Sequence, residues 1–252
     1  MADRASILSY IDEQLECAAF GDYAPNGLQV EGRPEIRRLV SGVTASQALI
    51  DAAVERGADA LLVHHGFFWK GEDPRVVGMK QRRLSRLLTA GVNLLAYHLP
   101  LDAHPTLGNN ARWAAAMGWR VEGPFAVRDG RALGFHGRLP EPMTGAELAA
   151  QLAGTLGRAP VHVAGGPERL ERIAWCSGGA DGFIDEAAAL GVDAYLSGET
   201  GEPTVHVARE CGIDFFGCGH HATETFGPAA LGAHLAEVFE LEHQFVDVPS
   251  PA

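Results

Sequence analysis

Residues 37–65, RRLVSGVTASQALIDAAVERGADALLVHH, decide how the chain is read. The apolar run 39–43 has the length and composition of a short buried strand. Thr44 is a suitable N-cap for a helix over 46–56, and Gly57 is a suitable end for it. The run Ala60-Leu61-Leu62-Val63 is then a second buried strand, which delivers His64 and His65. Strand, helix and strand in this order make a βαβ unit, so the two strands are expected parallel in an α/β sheet. Open α/β sheets bind ligands at the carboxyl ends of their strands, and the histidine doublet falls at that edge.

Working outward, the same pattern recurs. Residues 37–65 align without a gap on 171–199 at a constant shift of 134, with identities at Arg38/Arg172, Ile50/Ile184, Asp51/Asp185, Ala53/Ala187, Gly57/Gly191, Asp59/Asp193, Ala60/Ala194 and Leu62/Leu196. Likewise Gly91-Val92-Asn93-Leu94-Leu95 parallels Gly212-Ile213-Asp214-Phe215-Phe216. One further residue of shift places His98…Asp102 on His220…Glu224. The expected fold is therefore α/β, as two related lobes over 1–125 and 126–252, the second an internal pseudo-repeat of the first. Further elements are expected as helices over 5–20, 80–90, 111–117 and 145–156, a strand over 92–97, a hairpin over 124–138, and a helical pattern from about residue 228.

Composition narrows the function classes. A chain of 252 residues can bury a sizeable core, and 46% hydrophobic with 21% charged residues is globular. No apolar stretch approaches the roughly 20 residues of a membrane helix, and the first residues lack a signal-peptide core, so a cytoplasmic protein is expected. A net charge of −12 with dispersed basic residues argues against nucleic-acid binding. Cys17, Cys176, Cys211 and Cys218 contain no Cys-x-x-Cys pair, and no disulfide is expected. The phosphate loop, the dinucleotide-binding glycine pattern, the His-Glu-x-x-His helix and the nucleophile elbow are all missing.

What remains is a histidine and carboxylate constellation. In Gly219-His220-His221-Ala222-Thr223-Glu224, His220 and Glu224 are four residues apart and fall on one side of a helical turn. With His64, His65 and Asp102 they make five donors of mixed nitrogen and oxygen type, which suit zinc, iron or manganese. Five ligands are too many for one catalytic ion with an open position and suit two ions sharing a bridging carboxylate. His98 lies close by in sequence. Glu199, which takes the place of His65 under the repeat, is a candidate for orienting a ligand or moving a proton, as is His98. The other histidines are expected to have structural roles, and Phe67, Phe68 and Trp69 suit either a site wall or the core.

These blocks, with Asn26-Gly27-Leu28-Gln29-Val30, Val63-His64-His65-Gly66, Tyr97-His98-Leu99-Pro100-Leu101-Asp102, Ser197-Gly198-Glu199 and Val246-Asp247-Val248-Pro249, resemble the NGG-interacting-factor-like dinuclear metal-centre proteins, also catalogued as GTP cyclohydrolase 1 type 2 homologues. The resemblance runs from about residue 5 to the end of the chain. It implies His64, His65, Asp102, His220 and Glu224 as the ligands of two divalent ions per subunit, held between two α/β lobes, and a homo-oligomer in the form of a toroidal hexamer. Some relatives are credited with opening the imidazole ring of GTP. The expected function is thus a metal-dependent hydrolase of GTP cyclohydrolase type 2 kind on a small-molecule substrate such as GTP, attacking the carbon between the two imidazole nitrogens of a purine, with Glu199 or His98 moving protons. The alternatives are a dinuclear phosphoesterase and a non-enzymatic metal-binding assembly or metal-handling protein.

Overall fold

A computed structural model describes residues 1–252. The chain opens with β1 (Ala2–Asp3), α1 (Arg4–Leu15), β2 (Gly27–Val30), β3 (Glu35–Ile36), β4 (Arg38–Thr44), α2 (Gln47–Glu55), β5 (Ala60–His65), α3 (Gly78–Ala90), β6 (Asn93–Ala96) and α4 (Leu99–Ala103). It continues with α5 (Asn109–Met117), β7 (Arg120–Arg128), β8 (Arg131–Met143), α6 (Gly145–Leu156), β9 (Val161–Val163), β10 (Leu170–Cys176), α7 (Ile184–Leu190), β11 (Ala194–Ser197), α8 (Glu202–Cys211), β12 (Asp214–Gly217) and α9 (His220–Thr223). Helix α10 (Phe226–Phe239) and β13 (Glu242–Phe245) complete it.

These elements form two compact units, Met1–Leu101 with Gly227–Val248, and Asp102–Phe226 with Pro249–Ala252. The halves expected at 125/126 are corrected accordingly. Strand β13 pairs in parallel with β4, Glu242 on Arg38 through Phe245 on Ser41, which draws the end of the chain back into the first unit. Strand β7 pairs along the long strand β8, and α5 packs Trp113 and Met117 into the second unit's core. Backbone groups of a strand are satisfied only in a ladder, so pairing overrides sequence order.

The first sheet has the order β13-β4-β5-β6-β2 and the second β7-β8-β10-β11-β12-β9. In both, three parallel strands are followed by an antiparallel strand from earlier in the chain, β2 against β6 and β9 against β12. The two sheets thus share a topology over these strands. It reaches individual hydrogen bonds: Asp59 Oδ2 accepts from the backbone N–H groups of Arg37 and Arg38, and Asp193 Oδ2 accepts from those of Glu171 and Arg172. The units differ at the other edge, where the first adds parallel β13 and the second adds the β7–β8 hairpin.

The apolar strand runs come from burial of both sheet faces. Alternate residues Val40, Leu61, Val63, Leu94 and Ala96 pack on Leu49, Ile50 and Ala53 of α2 and on Leu84 and Leu87 of α3. The matching face of the second sheet packs Ala174, Tyr195 and Phe215 on Ile184 and Ala187 of α7 and Ala208 of α8. Its opposite face places Trp175, Leu196 and Phe216 on Trp113 and Met117 of α5 and Leu148 and Leu152 of α6.

Two local expectations change. The first helix stops at Leu15 rather than continuing to residue 20, because Glu16 adopts φ 50 and closes it, and a short 3₁₀ turn, Cys17–Ala19, follows. Ser46, not Thr44, caps α2 by accepting from the Leu49 N–H, while Thr44 is the last residue of β4. The sequence reading of 145–156 holds, and Thr144 with Glu147 forms a full capping box there. No helix is long and apolar enough to cross a membrane.

Candidate metal centre

In the first unit β5 ends on His64 and His65. His64 is fully buried, and its Nδ1 donates to the Tyr97 carbonyl at 2.9 Å. A carbonyl can only accept, so that contact fixes the tautomer and leaves Nε2 as the lone-pair nitrogen. Across the ladder, Thr44 pairs with His65 and its Oγ1 lies 3.2 Å from the His65 Nδ1.

His98, just ahead of α4, is held on three sides. Its N–H donates to Asn26 Oδ1 at 2.7 Å, its Nδ1 donates to Asp22 Oδ1 at 2.7 Å, and Leu99 N–H donates to Asp22 Oδ2. Burial pushes the Asp22 carboxyl up, but the His98 hydrogen bond and charge, with Asn26 and the Tyr23 N–H, outweigh it and hold the group below its ordinary value. Nitrogen atoms of His64, His65 and His98 lie within 4.8 Å of one another. The Trp69 ring meets His98 edge-on at 5.0 Å and reaches His65 at 5.8 Å. Phe67 by contrast belongs to the core.

The second unit carries a carboxylate cluster of its own. Asp102 is buried in α4, and its Oδ1 accepts from Asn109 Nδ2 at 2.9 Å and Ser177 Oγ at 3.0 Å. Asn110 braces the same corner by accepting from Ser177 N–H and donating to the Leu133 carbonyl. Glu224, 2% exposed, closes the short α9, and its Oε1 lies 3.1 Å from His220 Nε2, as the four-residue spacing predicts. Carboxylate oxygens of Asp102 and Glu224 come within 4.8 Å of each other. The parallel His98…Asp102 spacing works differently, since His98 closes on Asp22 and Asp102 on Asn109 and Ser177.

Glu199 Oε1 accepts from His220 Nδ1 at 2.6 Å. This contact leaves the His220 Nε2 on the side of Glu224. Burial pulls the His220 pKa down, but hydrogen bonds and charge from Glu224 and Glu199 outweigh it and raise the pKa to about 9. Gly178 makes room for this cluster at φ 66: a Cβ there would collide with Glu224 Oε1, and its N–H donates to Thr223 Oγ1 at 3.0 Å. Arg158 lies over Gly219 and donates to the carbonyls of Pro251 and Ala252.

The donor chemistry fits borderline divalent ions. Imidazole nitrogens and buried carboxylates are offered, and two carboxylates this close are costly to bury without a nearby cation. Thiolate ligation is disfavoured, because burial pushes the thiols of Cys176 and Cys218 well up and keeps them protonated. The sequence reading missed Asp22, Asn26, Asn109, Asn110 and Ser177. Of these, Asn26 lies in one of the blocks that carry the family resemblance, without a role having been given to it. His162, His234 and His243 have structural partners in Asp214, Tyr10 and Ser41.

Comparison with known proteins places the chain in a family. Residues 2–251 match the family described as DUF34/NIF3 (NGG1p interacting factor 3). The chain is 56% identical over 248 residues to a GTP cyclohydrolase 1 type 2 homolog of Pseudomonas aeruginosa, covering 98% of each chain, and 52% identical over 243 residues to that of Escherichia coli K12, covering 96% of each. A solved structure described as protein ybgI, of unknown function, superposes with a TM-score of 0.96 at 50% identity over 100% of both chains, and TTHA1606 from Thermus thermophilus with 0.90 at 36% identity, again over 100% of both. From its sequence, its paired α/β topology and these relatives, the chain belongs to the DUF34/NIF3 family.

Proposed function

We propose that His64, His65, Asp102, His220 and Glu224 hold two divalent transition-metal ions, with His98 a further donor, and that the protein is a hydrolase of GTP cyclohydrolase type 2 kind acting on a nucleotide or related small molecule. The observation that carries this reading is that His64 and His220 have each committed Nδ1–H to a fixed oxygen, the Tyr97 carbonyl and the Glu199 carboxylate. Each ring is thereby oriented with Nε2 as the atom facing the site, and His220, whose pKa is raised to about 9, would release its Nε2 proton on binding an ion. The names of the relatives support the substrate class. When bound, such ions supply Lewis acidity toward a polarisable substrate group.

The chain's own residues have separable tasks. Asp22 and Asn26 hold His98, Asn109 and Ser177 fix one oxygen of Asp102, and Glu199 keeps the Nδ1 proton of His220. Glu199 is 54% exposed and so is the group placed to exchange a proton with solvent. The ring-shaped hexamer belongs to the same reading, and light scattering of purified protein tests it.

The deciding experiment is elemental analysis per chain beside a His64→Ala variant, followed by chromatography of GTP after incubation with metal-replete protein. About two ions per chain, reduced in the variant, with consumption of GTP, is the expected result. Intact GTP with cleavage of other phosphoesters would make the protein a dinuclear phosphoesterase. Readily exchanged metal with no turnover would make it a metal-handling protein.

A further inference from the structure

The segment after β5 carries a backbone outlier. Phe68 sits at φ 65, in the left-handed region, which a bulky aromatic adopts only where its surroundings impose it. Those surroundings are specific. Trp69 N–H donates to Glu72 Oε2 at 3.0 Å and Glu72 N–H returns to the Trp69 carbonyl at 2.9 Å. Lys70 N–H donates to the Tyr23 carbonyl at 2.6 Å, and the Lys80 ammonium lies 5.0 Å over the Phe68 ring and 3.2 Å from Glu72 Oε1.

The consequence of this turn is the placement of Trp69. Phe67 enters the core at 5% exposure, whereas Trp69 stays half-buried and meets His98 edge-on at 5.0 Å. Tyr23, 62% exposed, reaches the same imidazole at 6.3 Å, also edge-on. Two aromatic rings therefore flank His98 without belonging to the first unit's apolar core. The exposed Tyr23 ring has no packing role to explain it. The Lys80 ammonium in this turn is already engaged by Glu72 and the Phe68 ring, so the chemistry on offer to a ligand beside His98 is an aromatic face rather than an anion site.

We infer that Trp69 and Tyr23 form a stacking subsite for the planar base of the substrate, a purine, beside the imidazole cluster. This rests on the nucleotide reading above and specifies which part of the ligand the protein grips. Aromatic platforms accept any base through its π-face, and a strained turn is a way to fix such a platform before the ligand arrives.

The test is calorimetric binding of guanosine and of ribose 5-phosphate to the full chain, with metal content determined on the same samples. Guanosine is expected to bind and ribose 5-phosphate to bind much more weakly. Trp69→Ala should weaken guanosine binding by about tenfold or more, Trp69→Phe should retain most of it, and metal content should stay at the wild-type level in both. Guanosine binding by Trp69→Ala at wild-type strength would overturn the inference, as would a wild type that prefers ribose 5-phosphate or binds no guanosine. Guanosine bound without any consumption of GTP would leave the subsite standing and remove the hydrolase. Retained metal and turnover with guanosine binding unaffected in Trp69→Ala would remove the subsite alone.

Discussion

Glu199 offers the sharpest probe of how the site is built, because it touches a donor imidazole from the side away from Glu224. Its Oε1 accepts a hydrogen bond from the His220 Nδ1–H at 2.6 Å, a charge-assisted contact of a kind worth about 1.5–3 kcal/mol. The carboxylate is 54% exposed, so solvent screening brings the expected value down to about 1–2 kcal/mol. At 1.4 kcal/mol per factor of ten, Glu199→Ala should weaken metal binding by about tenfold, at the low end of the ~10–100-fold usual when such orienting groups are removed. Glu199→Gln keeps an amide oxygen that accepts from Nδ1–H, and should weaken binding by only about threefold. The assay is competition against a chelator of known affinity, with thermal melting of the apoprotein as the control. Melting temperatures of the apoprotein should fall by only a few degrees, since the contact is worth at most about 1–2 kcal/mol to the fold. Wild-type affinity in Glu199→Ala, or equal loss in the Gln and Ala variants, would refute the idea that this carboxylate works by orienting the imidazole.

Two further outcomes follow from the fold and from the room around Glu224. Burial pushes the Asp59 carboxyl up, but the backbone N–H groups of Arg38 and Arg37 and the Arg33 guanidinium outweigh it and hold it below the usual 3.8. A depressed carboxyl stabilises the fold above its unfolded-state pKa and loses that contribution as pH falls through the folded value. Asp59→Asn should therefore cost about 1–3 kcal/mol in urea unfolding at neutral pH, and the gap to wild type should close below about pH 4; a gap that persists there would break the argument. Gly178→Ala should lose about 1–3 kcal/mol of stability from its φ of 66 and also lose metal, since the new Cβ displaces Glu224; full metal occupancy at wild-type stability would show that the crowding is not felt.

The sequence by itself determined the α/β class and its βαβ units, and it nominated the donors of the proposed metal site. Those features are written locally: apolar runs of strand length, helices closed by glycine, and imidazoles or carboxylates placed where a strand stops. The four-residue spacing of His220 and Glu224 needs only helical geometry, and the equivalence of Asp59 with Asp193 survives as the same pair of backbone hydrogen bonds in both sheets. The tertiary structure alone decided which elements share a sheet, because strand pairing is non-local: nothing in residues 242–245 says that they lie beside β4 rather than in the second unit. It also decided the groups that hold the donors. Asp22 is 76 positions from His98 and Ser177 is 75 from Asp102, separations that no periodicity can bridge, so their roles became visible only once the chain had closed those loops.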